Sequence, residues 1–303
     1  MPTGAPGSRT SRGYAFMLAA ATLWGLLGPA SYVAMREGVT ALEVAFWRAL
    51  LAGVAFWLHA LLAGGGTRSL WVARRDWPVV VAFGAIGIAF LYTAYFTTVR
   101  LGGAALAAVL LYTAPAWVAL LSWMLGRERL TPRTVLALVV TFAGVALVAG
   151  VAGDVRVSIA AVIWGLASGV AYALYYVLGA PFFARYPPPT LFAWALPLGA
   201  LALLPLVGPA PRGPVVWAAL GFVALVPTYG AYLCYAAALR YLAPTRASTV
   251  AMLEPVVAAV AAWMLFGERL TLTAMVGAVI VLAGVLLMVA REPAAVSVGP
   301  PTH

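Results

Sequence analysis

The chain carries ten long apolar runs joined by short polar connections, and this succession constrains its fold more than any other feature. Each run is close to the roughly 20 residues that a helix needs to cross a bilayer. Over the whole chain 65% of the residues are hydrophobic and 9% are charged, far from the composition of a soluble domain. We therefore predict an all-α membrane protein with ten transmembrane helices. The runs lie approximately at residues 14–35, 41–62, 77–99, 104–125, 132–150, 158–180, 189–207, 215–239, 244–266 and 272–290.

The connections between the runs exclude several classes of function. The longest is the 14-residue stretch 63–76, which is too short for a soluble catalytic or nucleotide-binding domain. The chain has no Gly-x-Ser-x-Gly, His-Glu-x-x-His or Walker sequence, so we predict neither an enzyme nor an ATP-driven pump. A single cysteine, Cys234, and the lack of a histidine or acidic cluster predict no disulfide, no metal site and no cofactor.

The net charge of +10 comes from 18 arginines, most of which lie in the short connections. In a soluble protein this charge would indicate nucleic acid, but in a membrane protein basic connections report orientation. With the N-terminus in the cytoplasm, twelve arginines fall on the inner side and five on the outer side, while Arg48 lies within a span. The positive-inside rule therefore predicts two cytoplasmic termini, and no nucleic-acid partner is expected.

The chain repeats itself at an offset of 140 residues. In the clearest copy, seven of nine positions recur between 123–131 and 263–271. The register slips only around the second span of each half. We predict two five-helix repeats over 14–150 and 151–290, with disordered tails at 1–13 and 291–303. The same offset relates Trp24-Gly25 to Trp164-Gly165, Tyr92 to Tyr232, Tyr95 to Tyr235, Pro115 to Pro255, and Ala143-Gly144-Val145 to Ala283-Gly284-Val285.

The odd number of spans in each repeat determines how the halves are related. If the first half enters from the cytoplasm, the second enters from the opposite face, so the repeats are inverted. Two inverted halves around one site near the middle of the membrane are typical of secondary transporters that work by alternating access. Duplication also produces channels and scaffolds, and these stay open as alternatives.

Four sequence features together carry a family resemblance. They are a Trp-Gly pair in the first span of each half, Phe46-Trp47-Arg48-Ala49 in the second span, a proline in the fourth and ninth spans, and Glu-Arg-Leu-Thr followed by an Ala-Gly-Val helix. With these features the chain resembles, over residues 14–290, the EamA branch of the drug/metabolite transporter superfamily, and within it the YddG-type bacterial amino-acid exporters. The resemblance implies a cavity surrounded by spans 1, 3, 4, 6, 8 and 9, and export of small metabolites across the bacterial inner membrane.

Interior prolines mark positions where a helix can bend. Each proline lacks an N–H and frees a carbonyl one turn earlier. The repeat places Pro115 and Pro255 at equivalent positions, so we predict that they are symmetric hinges; prolines that a membrane helix simply tolerates are the alternative. The five interior prolines are Pro29, Pro115, Pro197, Pro227 and Pro255.

Aromatic side chains deep in the spans are the candidates for a solute cavity. For each of them, plain helix packing is the alternative. Tyr95 and Tyr235 lie near span ends, where an interfacial aromatic belt is an equal alternative. We predict that the cavity is lined by Trp24, Tyr92, Tyr112, Trp164 and Tyr232.

Two ionisable residues lie well inside the apolar runs, where a charge costs about 2.5–3.5 kcal/mol on insertion scales. Glu254 sits beside Pro255, and its repeat counterpart is the neutral Ala114. We predict that Glu254 contacts a solute ammonium group or carries a coupling proton; a protonated Glu bonded to nearby backbone is the alternative. Arg48 follows Glu43 by five residues, and a structural bridge is favoured for it over contact with a solute carboxylate.

The scarcity of fixed charges restricts the solute. Phosphates and nucleotide sugars require several cations, which Arg48 alone does not supply. We predict a secondary transporter that exports amino acids, including aromatic and hydrophobic ones, or similar small metabolites across the inner membrane. Efflux of hydrophobic drugs or quaternary cations, with Glu254 as counter-ion, is the alternative. The expected partners are the solute, a zwitterion in this prediction, and the lipid bilayer, and a monomer is compatible with the sequence.

Overall fold

The computed structural model describes residues 6–62, 66–149, 158–208, 213–267 and 271–290, and its regular elements in these ranges are helical. Short 3₁₀ helices at Gly66–Leu70, Arg74–Asp76 and Leu204–Leu206 join or extend the longer elements. The α-helices are α1 (Pro6–Gly25), α2 (Leu27–Arg36), α3 (Ala41–Leu62), α4 (Trp77–Ala82), α5 (Leu91–Leu111), α6 (Ala114–Met124), α7 (Pro132–Val148), α8 (Ile159–Phe183), α9 (Pro188–Leu203), α10 (Pro214–Ala224), α11 (Ala231–Ala238), α12 (Pro244–Ala251), α13 (Glu254–Phe266) and α14 (Leu272–Val289).

The helices are apolar enough to lie in a membrane. Within the described ranges, eight helical segments have the length and composition to cross a bilayer, and α6 and α7 are shorter apolar helices. The prediction of an all-helical membrane protein is confirmed. The eight segments are Thr10–Arg36, Ala41–Leu62, Arg74–Leu111, Ile159–Phe183, Pro188–Leu206, Pro214–Ala238, Pro244–Phe266 and Leu272–Val289.

The longest of these segments, Arg74–Leu111, is divided by Gly103, whose φ of 85° and ψ of 164° are not helical. A straight helix of its 38 residues would be about 57 Å long, almost twice the thickness of a hydrocarbon core. Glycine adopts a positive φ without the steric cost that a Cβ would impose. The break therefore separates the third predicted apolar run, 77–99, from the fourth, 104–125.

Two helical segments contain π-helical stretches at corresponding places in the halves. They occupy Phe83–Phe90 between α4 and α5, and Leu225–Gly230 between α10 and α11. The last six residues of the first stretch match the second at the 140-residue offset. A π-helical stretch leaves backbone groups out of the regular hydrogen-bond ladder, so each of these segments is irregular near its middle.

Four of the five interior prolines lie at or just after an irregular position. Pro115 follows the break at 112–113 that separates α5 from α6, and Pro255 follows the break at 252–253 that separates α12 from α13. Pro29 follows the break between α1 and α2, and Pro227 lies within a π-helical stretch. Pro197 was predicted as a kink candidate, but it lies inside the uninterrupted α9, because a helix can absorb one missing hydrogen bond.

Several helix contacts recur when the two halves are exchanged. The pairs α3–α9 and α7–α14 each join two equivalent helices. The contact of α5 with α8 has its counterpart in the contacts of α1 with α11 and α12, and the contact of α6 with α8 has its counterpart in that of α1 with α13. These recurring contacts are expected if helices 140 residues apart occupy equivalent places in the bundle.

Small residues let α7 and α14 approach closely. A methyl group added to Gly144 would lie 2.6 Å from the backbone nitrogen of Val281, and one added to Gly277 would lie 2.7 Å from the backbone oxygen of Gly144. Such contacts are shorter than any Cβ tolerates. Membrane helices gain little hydrophobic energy from association, so close backbone packing of this kind stabilises the pair.

The first helix begins earlier than predicted. Helix α1 starts at Pro6, so the expected disordered tail over residues 1–13 is wrong for 6–13. Proline at the first helical position favours a helix start, because its missing N–H has no helical acceptor there. The helix is held by the Tyr14 hydroxyl, which donates to the backbone oxygen of Met288 over 3.2 Å. Residues 1–5 and the predicted tail 291–303 lie outside the described ranges.

Candidate functional site

A cavity of about 460 Å³ lies between the helices, within the size range of sites for small molecules. Its walls come from α1, α2, α3, α5, α7, α8, α11 and α13 and from the residues between α5 and α6. It extends to Met35, Ala41 and Ala149, which flank connections at one end of the bundle. Helix α3 has 22 residues and is about 33 Å long, so the connection that follows it lies at the opposite end.

Five of the six residues predicted to contact a solute line this cavity. The breaks in the helices contribute to it, because Tyr112 lies at the break before α6 and Glu254 is the first residue of α13. The hinge candidate Pro255 also lines the cavity, whereas Pro115 is buried and does not. The five are Trp24, Tyr92, Tyr112, Tyr232 and Glu254.

Trp164 does not line the cavity. Its side chain is 37% exposed, and its ring lies 6.1 Å from that of Phe90 on the outside of the bundle. Its repeat counterpart Trp24 is buried, with ring distances of 6.0 Å to Tyr232 and 5.6 Å to Tyr235. The repeat relates positions in the sequence, but packing between the halves decides which helix face meets the cavity, and it differs at the two tryptophans.

Arg48 is the cationic group of the cavity wall. Its side chain is 4% exposed and lines the cavity. From the sequence, a structural bridge was favoured for it over contact with a solute. Its guanidinium donates a hydrogen bond to the Tyr92 hydroxyl and lies 4.6 Å from the centre of the Tyr92 ring. Glu43 does not pair with it; the Glu43 carboxylate instead accepts a 2.6 Å bond from the Thr40 backbone nitrogen and caps α3.

Glu254 is the anionic group of the same wall. It lies beside the Tyr112 hydroxyl, and Tyr95 is also close to it. Among the residues that the structure describes, no ion pair joins Glu254 to Arg48, whereas Asp76 pairs with Arg75 and Arg185. The cavity therefore presents two opposite charges that do not neutralise each other by direct contact.

Two further tyrosines of the cavity wall were not singled out from the sequence, and both belong to α8. Tyr172 and Tyr175 line the cavity, and Tyr176 lies buried beside them. Their spacing of three and four residues places them along one helix face, a pattern that would have indicated them. Tyr95, for which an interfacial position was an equal alternative, also lines the cavity.

The deep end of the cavity is closed by aromatic side chains. The hydroxyls of Tyr175 and Tyr232 lie 2.9 Å apart, and the Phe192 ring stacks on that of Tyr232 at 4.7 Å. Tyr235 is fully buried below them and donates a 2.5 Å hydrogen bond to the backbone oxygen of Tyr175. Phe83 packs against Tyr175 with 4.4 Å between the ring centres. These rings fill the space beneath the cavity.

A polar cluster ties helices together at that closed end. Asp76 is 4% exposed and accepts a 2.6 Å hydrogen bond from the Tyr186 hydroxyl and a 2.8 Å ion pair from Arg185. The backbone nitrogen of Ala73 donates to the same Tyr186 hydroxyl over 3.2 Å. The cluster links the start of α4 to the chain that follows α8.

The chemistry of the wall is that of a binding site for an organic solute. Among the residues that the structure describes, no group of three or more histidine, cysteine or acidic side chains is placed to hold a metal ion. The wall instead combines tyrosine rings and hydroxyls with one cation and one anion. Such a wall can contact apolar parts of a molecule and hydrogen-bond its charged groups.

Apolar membrane helices around a solute-sized cavity are typical of membrane transport proteins. The chain matches the model of the EamA-like transporter family over residues 11–150 and 159–290. It therefore belongs to this family.

Individual relatives agree with this assignment. The chain is 34% identical to an uncharacterized transporter of Archaeoglobus fulgidus over 194 residues, which are 64% of this chain and 70% of that protein. It is 28% identical to a probable terminal-alkyne amino-acid exporter of Streptantibioticus cattleyicolor over 223 residues, 71% of this chain and 73% of the relative. A solved crystal structure with 21% identity superposes with a TM-score of 0.78, over 93% of this chain and 97% of the other, and this likeness shows the shared fold.

Proposed function

We propose that the protein is a secondary transporter that exports amino acids, or small metabolites of the same zwitterionic kind, across the bacterial inner membrane by alternating access. One observation carries this proposal: Arg48 and Glu254 line one cavity and are not paired with each other. A free amino acid has a carboxylate and an ammonium group on the same carbon. It supplies one partner of opposite charge to each of the two residues.

The carboxylate end of the solute is assigned to Arg48. The guanidinium has donors in a planar fork, of which Tyr92 engages one side. A carboxylate accepts two parallel bonds from such a fork. Because Arg48 is almost completely shielded from water, its bonds to a solute compete weakly with hydration.

The ammonium end is assigned to Glu254 and the tyrosine rings around it. A carboxylate accepts hydrogen bonds from an ammonium group, and aromatic rings attract a cation to their faces. Tyr95, Tyr112 and Tyr172 line this part of the wall. The relative from Streptantibioticus cattleyicolor, named as an amino-acid exporter, supports the same class of solute. The narrower resemblance to YddG-type exporters stays a prediction.

We further propose ten crossings, arranged as two inverted repeats with both termini in the cytoplasm. The helix pairings that persist when the halves are exchanged support the repeat, as do the π-helical stretches at Phe83–Phe90 and Leu225–Gly230. In this orientation the cavity extends toward the outer face, and the cluster around Asp76 closes the inner face. The described conformation would then be the one that releases an exported solute.

The proposal is tested by counterflow in proteoliposomes. Purified protein is reconstituted with unlabelled amino acid inside, and entry of the same labelled amino acid is followed for a panel of amino acids. Exchange above that of protein-free liposomes is expected for at least the hydrophobic and aromatic members. Glu254→Gln should slow this exchange, since it removes the anion that faces the ammonium group. If labelled amino acid never exchanges for unlabelled, the protein is not an amino-acid carrier.

Efflux of a hydrophobic cation is the second candidate, and the position of Glu254 is what favours it. A cationic drug would find a counter-ion in Glu254, but it would also lie in the same cavity as the Arg48 guanidinium, which repels it. We therefore rank it below a zwitterion. Movement of ethidium with no movement of any amino acid would reverse this order.

A further inference from the structure

The part of the cavity nearer its open end differs chemically from the part that holds the charges. Arg48, Tyr175 and Tyr232 gather at the deep end, where the two tyrosine hydroxyls bond each other. Toward the open end the wall is formed largely by small and aliphatic residues, among them Gly28, Ala41, Ala45, Val148, Ala258 and Ala259. A solute held by its charged groups at Arg48 and Glu254 would therefore direct its side chain toward this apolar region.

Gly28 leaves a gap in that region which packing does not explain. Apart from its chain neighbours and the backbone of its own helix, a methyl group added to Gly28 would have no atom within 4 Å, and the residue is exposed to the cavity. Gly25, one turn earlier, is the opposite case, because a methyl group there would lie 2.5 Å from the Cβ of Val257. Close helix packing therefore requires glycine at position 25, whereas at position 28 glycine only keeps space open.

The backbone does not require glycine at position 28 either. Gly28 lies in α2 and has no positive φ, so an L-residue can adopt its conformation. A helical glycine costs conformational entropy that alanine does not. Neither packing nor backbone conformation therefore requires glycine at position 28. What glycine provides there is an empty volume beside α2 that a larger side chain would fill.

We propose that Gly28 determines the largest side chain that the transporter accepts, and that the solute is an α-amino acid whose side chain occupies the apolar region beside it. This inference rests on the proposed function. A larger residue at position 28 would project from α2 into the cavity and displace a bulky side chain, while the space at Arg48 and Glu254 would stay unchanged.

The test compares solutes of increasing size in Gly28→Leu. Counterflow of L-alanine, L-leucine and L-tryptophan is measured in proteoliposomes for the wild type and the variant. We expect tryptophan exchange to fall by about tenfold or more and alanine exchange to change by less than about twofold, because apolar pockets discriminate by size on this scale. Gly28→Ala adds one methyl group and should show the same order of effects with a smaller amplitude.

Gly221→Leu is the matched control. Gly221 is also a helical glycine with no atom within 4 Å of an added methyl group, but it lies in α10 and does not line the cavity. It should leave the exchange of all three amino acids at the wild-type level. Size discrimination in Gly28→Leu but not in Gly221→Leu supports the proposal.

The outcomes that overturn the inference are distinct from failure of the proposed function. Equal loss for all three amino acids in Gly28→Leu and Gly28→Ala, or tryptophan exchange unchanged in both, would show that Gly28 does not set solute size. If the wild type exchanges none of the three, the proposed function fails first, and the inference fails with it.

Discussion

Replacement of Arg48 by glutamine gives the most direct test of how the solute is held. The substitution removes the positive charge and the fork of donors but keeps a polar side chain. In the structure the guanidinium donates to the Tyr92 hydroxyl and lies beside that of Tyr232, and the amide of glutamine keeps a donor for these hydroxyls. The main loss should therefore fall on binding of the solute carboxylate, which needs the charge and the fork of donors.

The size of the effect follows from the surroundings of Arg48. A hydrogen bond to a charged group contributes about 1.5–3 kcal/mol. Arg48 is only 4% exposed, so water cannot easily take the place of its guanidinium as a partner of the solute carboxylate. The range corresponds to a KM raised roughly 10- to 150-fold for an amino acid, at about 1.36 kcal/mol for each factor of ten, and the low exposure favours the upper part of it. A primary amine with the same side chain, which lacks the carboxylate, should lose little.

The assay is counterflow with L-leucine and competition by isoamylamine, the corresponding amine without a carboxylate. Arg36→Gln serves as control, because Arg36 also lies near a tyrosine ring, 6.0 Å from that of Tyr32, but is exposed and outside the cavity. Thermal unfolding in detergent shows whether each variant keeps its fold. An unchanged KM for leucine in folded Arg48→Gln would refute the assignment of the carboxylate to Arg48, and equal losses for leucine and the amine would refute it as well.

Three further outcomes are expected. Trp24→Ala should reduce counterflow by about tenfold or more, because it removes a buried part of the cavity wall. Trp164→Ala lies outside the cavity and should keep counterflow within about twofold of the wild type. The reverse order of effects would contradict the described cavity. Asp76→Asn should lower the melting temperature, because it removes the charge that pairs with Arg185 and weakens the hydrogen bond from Tyr186. An unchanged melting temperature would mean that the cluster does not stabilise the closed end. Gly277→Leu should destabilise the protein by about 1–3 kcal/mol or more, because even the Cβ of the new side chain would lie 2.7 Å from the backbone of α7. The same unfolding assay measures this loss. Retention of wild-type stability would show that α7 and α14 separate freely.

Much of the helix pattern follows from the sequence because the bilayer imposes a length. An apolar run of about 20 residues must be helical in hydrocarbon, where every backbone N–H and C=O needs a partner within its own segment. Pro115 and Pro255 marked two of the breaks because proline cannot donate the bond that a continuous helix requires. The π-helical stretch at Phe83–Phe90 contains no proline, so no comparable sequence feature announced it.

The candidate site was predictable only in part. Glu254 could be singled out because a charge inside an apolar run is costly and therefore rare. Arg48 met the same criterion, yet the nearby Glu43 offered a local partner that the structure assigns to the helix cap instead. Whether these two charges line the same cavity depends on contacts between residues more than 200 positions apart. Such contacts leave no local pattern in the sequence.

The sequence by itself determined the membrane environment, the helical class and the 140-residue repeat, because these depend on local hydropathy and on comparison of the chain with itself. The tertiary structure decided which side chains face the cavity. Trp24 and Trp164 have equivalent sequence surroundings, but the first packs on Tyr232 and Tyr235 and the second on Phe90 at the periphery. The physical reason is that the neighbours of a helix in the other half determine how the helix is rotated about its axis. Because the cavity extends toward only one end of the bundle, two positions that the repeat relates can differ in whether they face it.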